Sequence, residues 1–163
     1  MMRRTAPPET VPVEVQIAVN QAAGLSDADL TGWAEAVLDR MGDARESVDV
    51  CIRLVDEAES EKLNARFRGR ESATNVLSFP ADVRLPESGR KLLGDILICD
   101  PVVRREAEIQ GKALRAHFAH MVVHGMLHLY GCDHEDPAEA EEMEKLEREI
   151  LNTLGIADPY LAT

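Results

Sequence analysis

Three of the chain's five histidines stand together, in the run His124-Gly125-Met126-Leu127-His128-Leu129-Tyr130-Gly131-Cys132-Asp133-His134. Neutral imidazole is a common metal ligand. His124 and His128 are four residues apart, so on a helix they lie one turn apart on one face. Gly131 follows three residues later, where a helix can end in a left-handed turn that residues with a Cβ resist. The chain can then fold back and bring His134 to the same point. Three imidazoles aimed at one ion leave its fourth position open, which is the arrangement of a catalytic rather than a structural site. Such a nitrogen set favours a single zinc ion, although copper, nickel and cobalt also bind it. Three clustered imidazoles without a metal would have six ring nitrogens to satisfy by other means, which is costly when they are buried.

The spacing matches the H-E-x-x-H-x-x-G-x-x-H pattern of zinc proteases, with one departure. Gly125 stands where those enzymes carry the glutamate that serves as general base, so peptide hydrolysis by that route loses its proton acceptor. What remains is a hydrolase centre with another base or another substrate. Asp133 is a candidate base or partner of a ligand by adjacency, and equally a turn residue. His117 and His120 fall on the same helical stripe; supporting the ligands or contacting substrate are open alternatives, but they are expected to line its core side rather than to bind metal. Cys132 is expected to point away from the histidines as a turn residue.

The elements that must position these groups are legible in outline. Residues 13–19 alternate and read as a strand. Ser26 and Asp29 form a capping box ahead of a helix ended by Gly42. Residues 48–55 read as a second strand, and Asp56 opens a helix that stops by Gly69. Residues 75–79 read as a short strand ended by Pro80, 81–91 as a loop or hairpin connection, and 92–99 as a central strand. Asp100-Pro101 reads as an N-cap followed by proline at the first helical position. Residues 113–130 form the long histidine-bearing helix. Asp136-Pro137 starts a last helix, with Ala140, Met143, Leu146, Ile150, Leu151 and Leu154 as its buried stripe. Strands and helices are mixed without a regular βαβ alternation. The expectation is a single α+β domain: a mixed sheet of about four strands, five or so helices, and the metal site at the end of a long helix.

The chain of 163 residues, 45% of them apolar, has room for one domain with a real core. No apolar run approaches the ~20 residues of a membrane helix. Residues 1–11 lack the apolar stretch of a signal peptide and read as a flexible leader, leaving 12–163 as a single metal-dependent hydrolase domain. Cys51, Cys99 and Cys132 are odd in number and contain no CxxC pair, which fits a reducing cytoplasm rather than a disulfide framework. The formal net charge of −12 disfavours a nonspecific nucleic-acid binder. Its distribution is uneven. Residues 135–149 hold eight acids against Lys145 and Arg148 and read as a solvated helix face. Lys62, Arg66, Arg68 and Arg70 form a basic patch with no acid between them.

The segment from His117 to His134 resembles the signature of the YbeY family of bacterial endoribonucleases, the rRNA maturation factors. Other segments resemble that family in the same order. Leu63-Asn-Ala-Arg-Phe-Arg68 is similar to its L-N-x-x-[FY]-R segment, and Thr74-Asn-Val-Leu-Ser-Phe-Pro80 to its T-[DN]-V-L-S-F-P segment, with Asn75 in place of the commoner aspartate. Gly94-Asp-Ile96 resembles its G-D-I strand, and Glu141-Glu-Met-Glu144 follows at the usual place. Order and spacing agree from roughly residue 13 to residue 154; the leader lies outside.

The resemblance implies a single-strand-specific, metal-dependent endoribonuclease acting in 16S rRNA 3′-end maturation and ribosome quality control. It implies one zinc ion on His124, His128 and His134, and an arginine, Arg68, important for activity. Its implied partners are the 16S rRNA precursor, the small ribosomal subunit and that subunit's associated proteins, with no membrane. Without the resemblance Arg68 reads as a solvated residue at a helix end. With it, Arg68 offers a planar fork of donors to the phosphodiester and to the charge that grows in the transition state. Lys62, Arg66 and Arg70 would hold the RNA backbone, and Thr74, Asn75 and Ser78 are candidates for the cleft wall. Scarce aromatics argue against extensive base stacking. Two other readings stay open: a non-catalytic assembly factor whose metal braces the long helix, and a zinc peptidase, weakened by Gly125.

Overall fold

Four strands and five helices form in the computed structural model, which describes residues 13–17, 25–43, 47–69, 74–133 and 135–161. The order is β1 (Val13–Ile17), α1 (Asp27–Met41), β2 (Val48–Val55), α2 (Glu57–Arg68), β3 (Val76–Arg84), β4 (Lys91–Cys99), α3 (Asp100–Gln110), α4 (Leu114–Leu129) and α5 (Pro137–Thr153). The leader through residue 12, Arg70 and His134 lie outside the described residues.

The sheet is mixed, in the order β1-β2-β4-β3, with β1, β2 and β4 parallel and β3 antiparallel to β4. Period-two alternation splits its apolar residues between two faces. Val48, Val50, Ile52 and Leu54 of β2 and Leu93, Ile96 and Ile98 of β4 join the main core with α1, α4 and α5. Val55, Leu77, Leu97 and Cys99 form a smaller cluster on the opposite face, where Leu63 of α2 and Val102 of α3 pack. Helix α4 is buried nearly all round: Phe118, Ala119, Val122, Val123, Met126 and Leu127 are inaccessible to solvent. The expected α+β domain is therefore what forms.

Two expectations about local structure change. First, β3 does not stop at Pro80 but runs on to Arg84, with Pro80 opposite Gly94 and a register shift before Val83. β3 is an edge strand, so the missing N–H of Pro80 need not break a ladder. Gly94 makes this crossing possible: its φ is +145°, and a Cβ there would lie 2.3 Å from Phe79 O. Second, Asp100 does not cap α3. Cys99 is the N-cap and makes no side-chain cap bond, while the buried Asp100 carboxylate accepts from Arg104 Nε at 2.8 Å. The capping box at Ser26 and Asp29 and the left-handed stops at Gly42 and Gly69 form as their sequence signals indicate, and Gly111 ends α3 in the same way.

Candidate metal centre and its cleft

The four histidines of α4 make one stripe, as their spacing requires. Ring centroids are 6.3 Å apart from His117 to His120, 6.1 Å from His120 to His124 and 4.6 Å from His124 to His128. Burial falls along the stripe: His117 and His120 are buried, and His124 and His128 are half-buried. The first two thus take the core-side place expected for them. The last two open into a cleft of about 730 Å³.

The cleft runs beside edge strand β3, between α2 and the end of α4. It is lined by Asn64 and Arg68 of α2, by Thr74, Asn75 and Ser78 at β3, by His124 and His128, and by Gly131 to Asp133 after α4. Gly131 has φ +87° and turns the chain back as its position in the sequence predicts. Cys132 lies on the cleft wall and packs against the main core. Burial pushes its thiol up, and the charges of Glu142 and Glu147 add to the shift.

Arg68 is exposed on the last turn of α2, and its Nη2 donates to Ser78 O on the cleft side of β3 at 2.9 Å. Lys62 and Arg66 are exposed on the same helix, though neither reaches the cleft wall; Arg66 lies over the Phe67 ring. Thr74 N donates to the Ser60 hydroxyl at 3.1 Å, and Asn75 Nδ2 donates to Glu106. The base of the cleft is therefore held by hydrogen bonds from the neighbouring helices.

Gly125 explains itself structurally. A Cβ on it would lie 2.8 Å from Ile96 Cγ2, 3.2 Å from Ser78 Oγ and 3.3 Å from Val76 Cγ2. Its carbonyl accepts from Ser78 Oγ at 3.0 Å. α4 lies so close to β3 and β4 here that even a methyl group would force its neighbours to shift. The glutamate of the zinc-protease pattern has no space at this position.

The nitrogen geometry fits a metal. His124 Nδ1 is 2.6 Å from Glu147 Oε1, so that ring nitrogen carries the proton and donates it to the carboxylate. His124 Nε2 then keeps its lone pair and faces His128 Nε2 at 3.1 Å. Two nitrogens on one tetrahedral zinc ion sit about 3.3 Å apart, from a Zn–N distance of ~2.0–2.1 Å. His120, His124 and Glu147 also form a cluster able to hold an ion, with ligand atoms within 4.8 Å of one another. We read that cluster as a hydrogen-bonded one, because its contacts of 2.6 and 2.9 Å are those of charge-assisted hydrogen bonds. His134, the third expected ligand, lies outside the described residues.

Glu147 contacts the histidines of the site, yet the sequence does not single it out. Within the acidic run it reads as part of a solvated face, and Glu135, Asp136, Glu139, Glu141 and Glu142 are indeed exposed. Glu147 is fully buried. Burial raises its carboxyl, but interactions with His120 and His124, led by their hydrogen bonds, outweigh that and hold it below the usual carboxylate range. A signal was present: Met143, Glu147, Ile150 and Leu151 share the buried stripe of α5, so Glu147 occupies a core position.

Comparison with known proteins agrees with the geometry. The family described as Endoribonuclease YbeY matches residues 16–155. A Stenotrophomonas maltophilia protein named Endoribonuclease YbeY is 56% identical, the alignment covering 91% of this chain and 95% of that protein. A Xanthomonas axonopodis pv. citri protein of the same name is 54% identical over the same shares. The solution structure of TM1509 from Thermotoga maritima superposes with a TM-score of 0.53 at 26% identity, covering 92% of this chain and 99% of that one. With fold, motif-bearing elements and relatives in agreement over most of its length, the chain belongs to the endoribonuclease YbeY family.

Proposed function

We propose that the chain is a metal-dependent endoribonuclease specific for single-stranded RNA, acting in the cytoplasm on the 3′ end of the 16S rRNA precursor and in ribosome quality control. The small ribosomal subunit and its associated proteins are its partners in this reading. The observation that supports it best is one cleft carrying both a cation and converging imidazoles: Arg68, His124 and His128 line the same space.

His124, His128 and His134 would hold one zinc ion. When bound, it supplies Lewis-acid chemistry, polarising a phosphoryl oxygen and easing loss of a proton from water. The chain's own residues do the rest. Arg68, anchored through one Nη2 hydrogen bond to Ser78 O, presents its remaining donors to a phosphodiester and to the charge that builds on it. Asp133, on the cleft wall, is the candidate proton acceptor in this reading, and equally a turn residue. Lys62 and Arg66 extend the basic face of α2 and offset the acidic total for an approaching RNA backbone. Among the described residues, those lining the cleft include no Phe, Tyr or Trp, so the grip in this reading is on phosphates rather than on stacked bases. No helix among the described residues is long and apolar enough to cross a membrane.

The test is cleavage of one RNA sequence offered as a single strand and as a duplex, by wild type and by Arg68→Glu. Wild type should cut the single strand only, and the variant should cut neither while keeping its metal and fold. Equal cleavage of the duplex would remove strand specificity, and an active variant would remove Arg68.

A further inference from the structure

The buried end of the histidine stripe has a second task, which rests on the metal reading above. Glu147 is fully buried, and three donors converge on it. His124 Nδ1 is 2.6 Å from Oε1 and His120 Nε2 is 2.9 Å from Oε2. The Tyr160 hydroxyl also donates to Oε2. Among the described residues, the buried His120 Nδ1 makes no hydrogen bond, so the cheaper state of His120 carries its proton on Nε2 and donates it to Glu147. Tyr160 lies beyond the family-matched segment of 16–155. Its tail is tied down by Lys112 Nζ donating to Pro159 O at 3.0 Å and by Arg148 beside Asp158 at 3.7 Å.

We propose that Glu147 is the positioning residue of the site: His120 and Tyr160 saturate one carboxylate oxygen, and the other accepts the Nδ1 proton of His124, leaving the His124 Nε2 lone pair aimed into the cleft. The arrangement fixes both the tautomer and the ring plane of a metal ligand. It also makes the C-terminal tail, through Tyr160, part of the support of the centre.

Glu147→Gln separates this role from simple packing, because the two side chains have nearly the same shape. An amide can accept on one arm only. Two donors, from His120 and Tyr160, claim its oxygen, so its NH2 group turns to His124. His124 Nδ1 must then accept, and its proton moves to Nε2, where it blocks the lone pair that binds metal.

The experiment uses the full chain stripped of metal. Nitrogen-15 NMR of the imidazoles reads which ring nitrogen of His124 is protonated, and competition with a chelator reads zinc affinity. Circular dichroism monitors the fold. Wild type should show protonated Nδ1 and bare Nε2. Glu147→Gln should shift His124 towards the Nε2–H form and weaken zinc binding about 10- to 100-fold. Tyr160→Phe, which removes one hydroxyl at a half-open position, should weaken it by less and serves should the Gln variant not fold. An unchanged tautomer with unchanged zinc affinity in the variants overturns the proposal. So does complete loss of zinc from Glu147→Gln with zinc retained by His128→Ala, since Glu147 would then be a ligand. If wild type binds no zinc yet the tautomer switches, the positioning role stands and the metal reading falls.

Discussion

Replacing Gly125 by alanine sets two effects against each other. In a helix interior alanine is better than glycine by about 1 kcal/mol. Against that, the new Cβ would lie 2.8 Å from Ile96 Cγ2, with Ser78 Oγ at 3.2 Å and Val76 Cγ2 at 3.3 Å. Carbon contacts are best near 3.5–4.0 Å, so a group must move by roughly 0.7 Å. Ile96 is fully buried and β-branched, and it cannot swing aside. Overpacking of this kind costs about 1–3 kcal/mol. The shift also strains the Ser78 hydroxyl bond to Gly125 O, a bond worth about 1 kcal/mol. The net expectation is a loss of about 1–2 kcal/mol, which lowers Tm by roughly 2–8 °C for a chain of this size. Differential scanning calorimetry gives the shift, and urea unfolding with an unchanged slope shows that the loss belongs to the native state. A Tm equal to or above wild type would refute the reasoning. It would mean that helix propensity alone governs this position, and the spatial argument against a peptidase glutamate would fall with it.

Two further outcomes follow from the same coordinates. Gly94→Ala combines a φ of +145° with a Cβ 2.3 Å from Phe79 O, so it should cost about 3 kcal/mol or more, seen as a lower urea midpoint. The Arg115 guanidinium, by hydrogen bonding, holds the Asp29 carboxyl at about 2, well below the ordinary ~3.9 of the unfolded chain. That pair therefore stabilises the native state above about pH 4, and the contribution fades as pH falls towards 2. Arg115→Ala should accordingly lose less Tm than wild type between pH 5 and pH 2.

What could be read from the sequence was local. The i, i+4 spacing of His124 and His128 and the glycine at 131 each determine geometry within a few residues, and each is found where expected. Glycine and cap signals set the helix ends for the same reason. Glu147 was obscured because its partners sit on another helix, more than twenty residues away, and because seven other acids surround it in its run. Only the phase of α5, which puts it in line with Met143 and Ile150, marks it as buried. Pro80 misled for a related reason. A proline ends a central strand but not an edge one, and the edge position of β3 follows from tertiary pairing. The cleft itself joins α2, β3 and the end of α4, so the association of Arg68 with the histidines came from resemblance before geometry placed them together.

The central claim is that the converging imidazoles hold the metal that RNA cleavage requires. The most direct measurement is zinc content and single-strand RNA cleavage on one nuclease-free preparation of wild type and of His128→Ala. Wild type should carry about one equivalent of zinc and cleave, with both lost in the variant. A variant that is folded, metal-free and still cleaves as fast as wild type would contradict that claim.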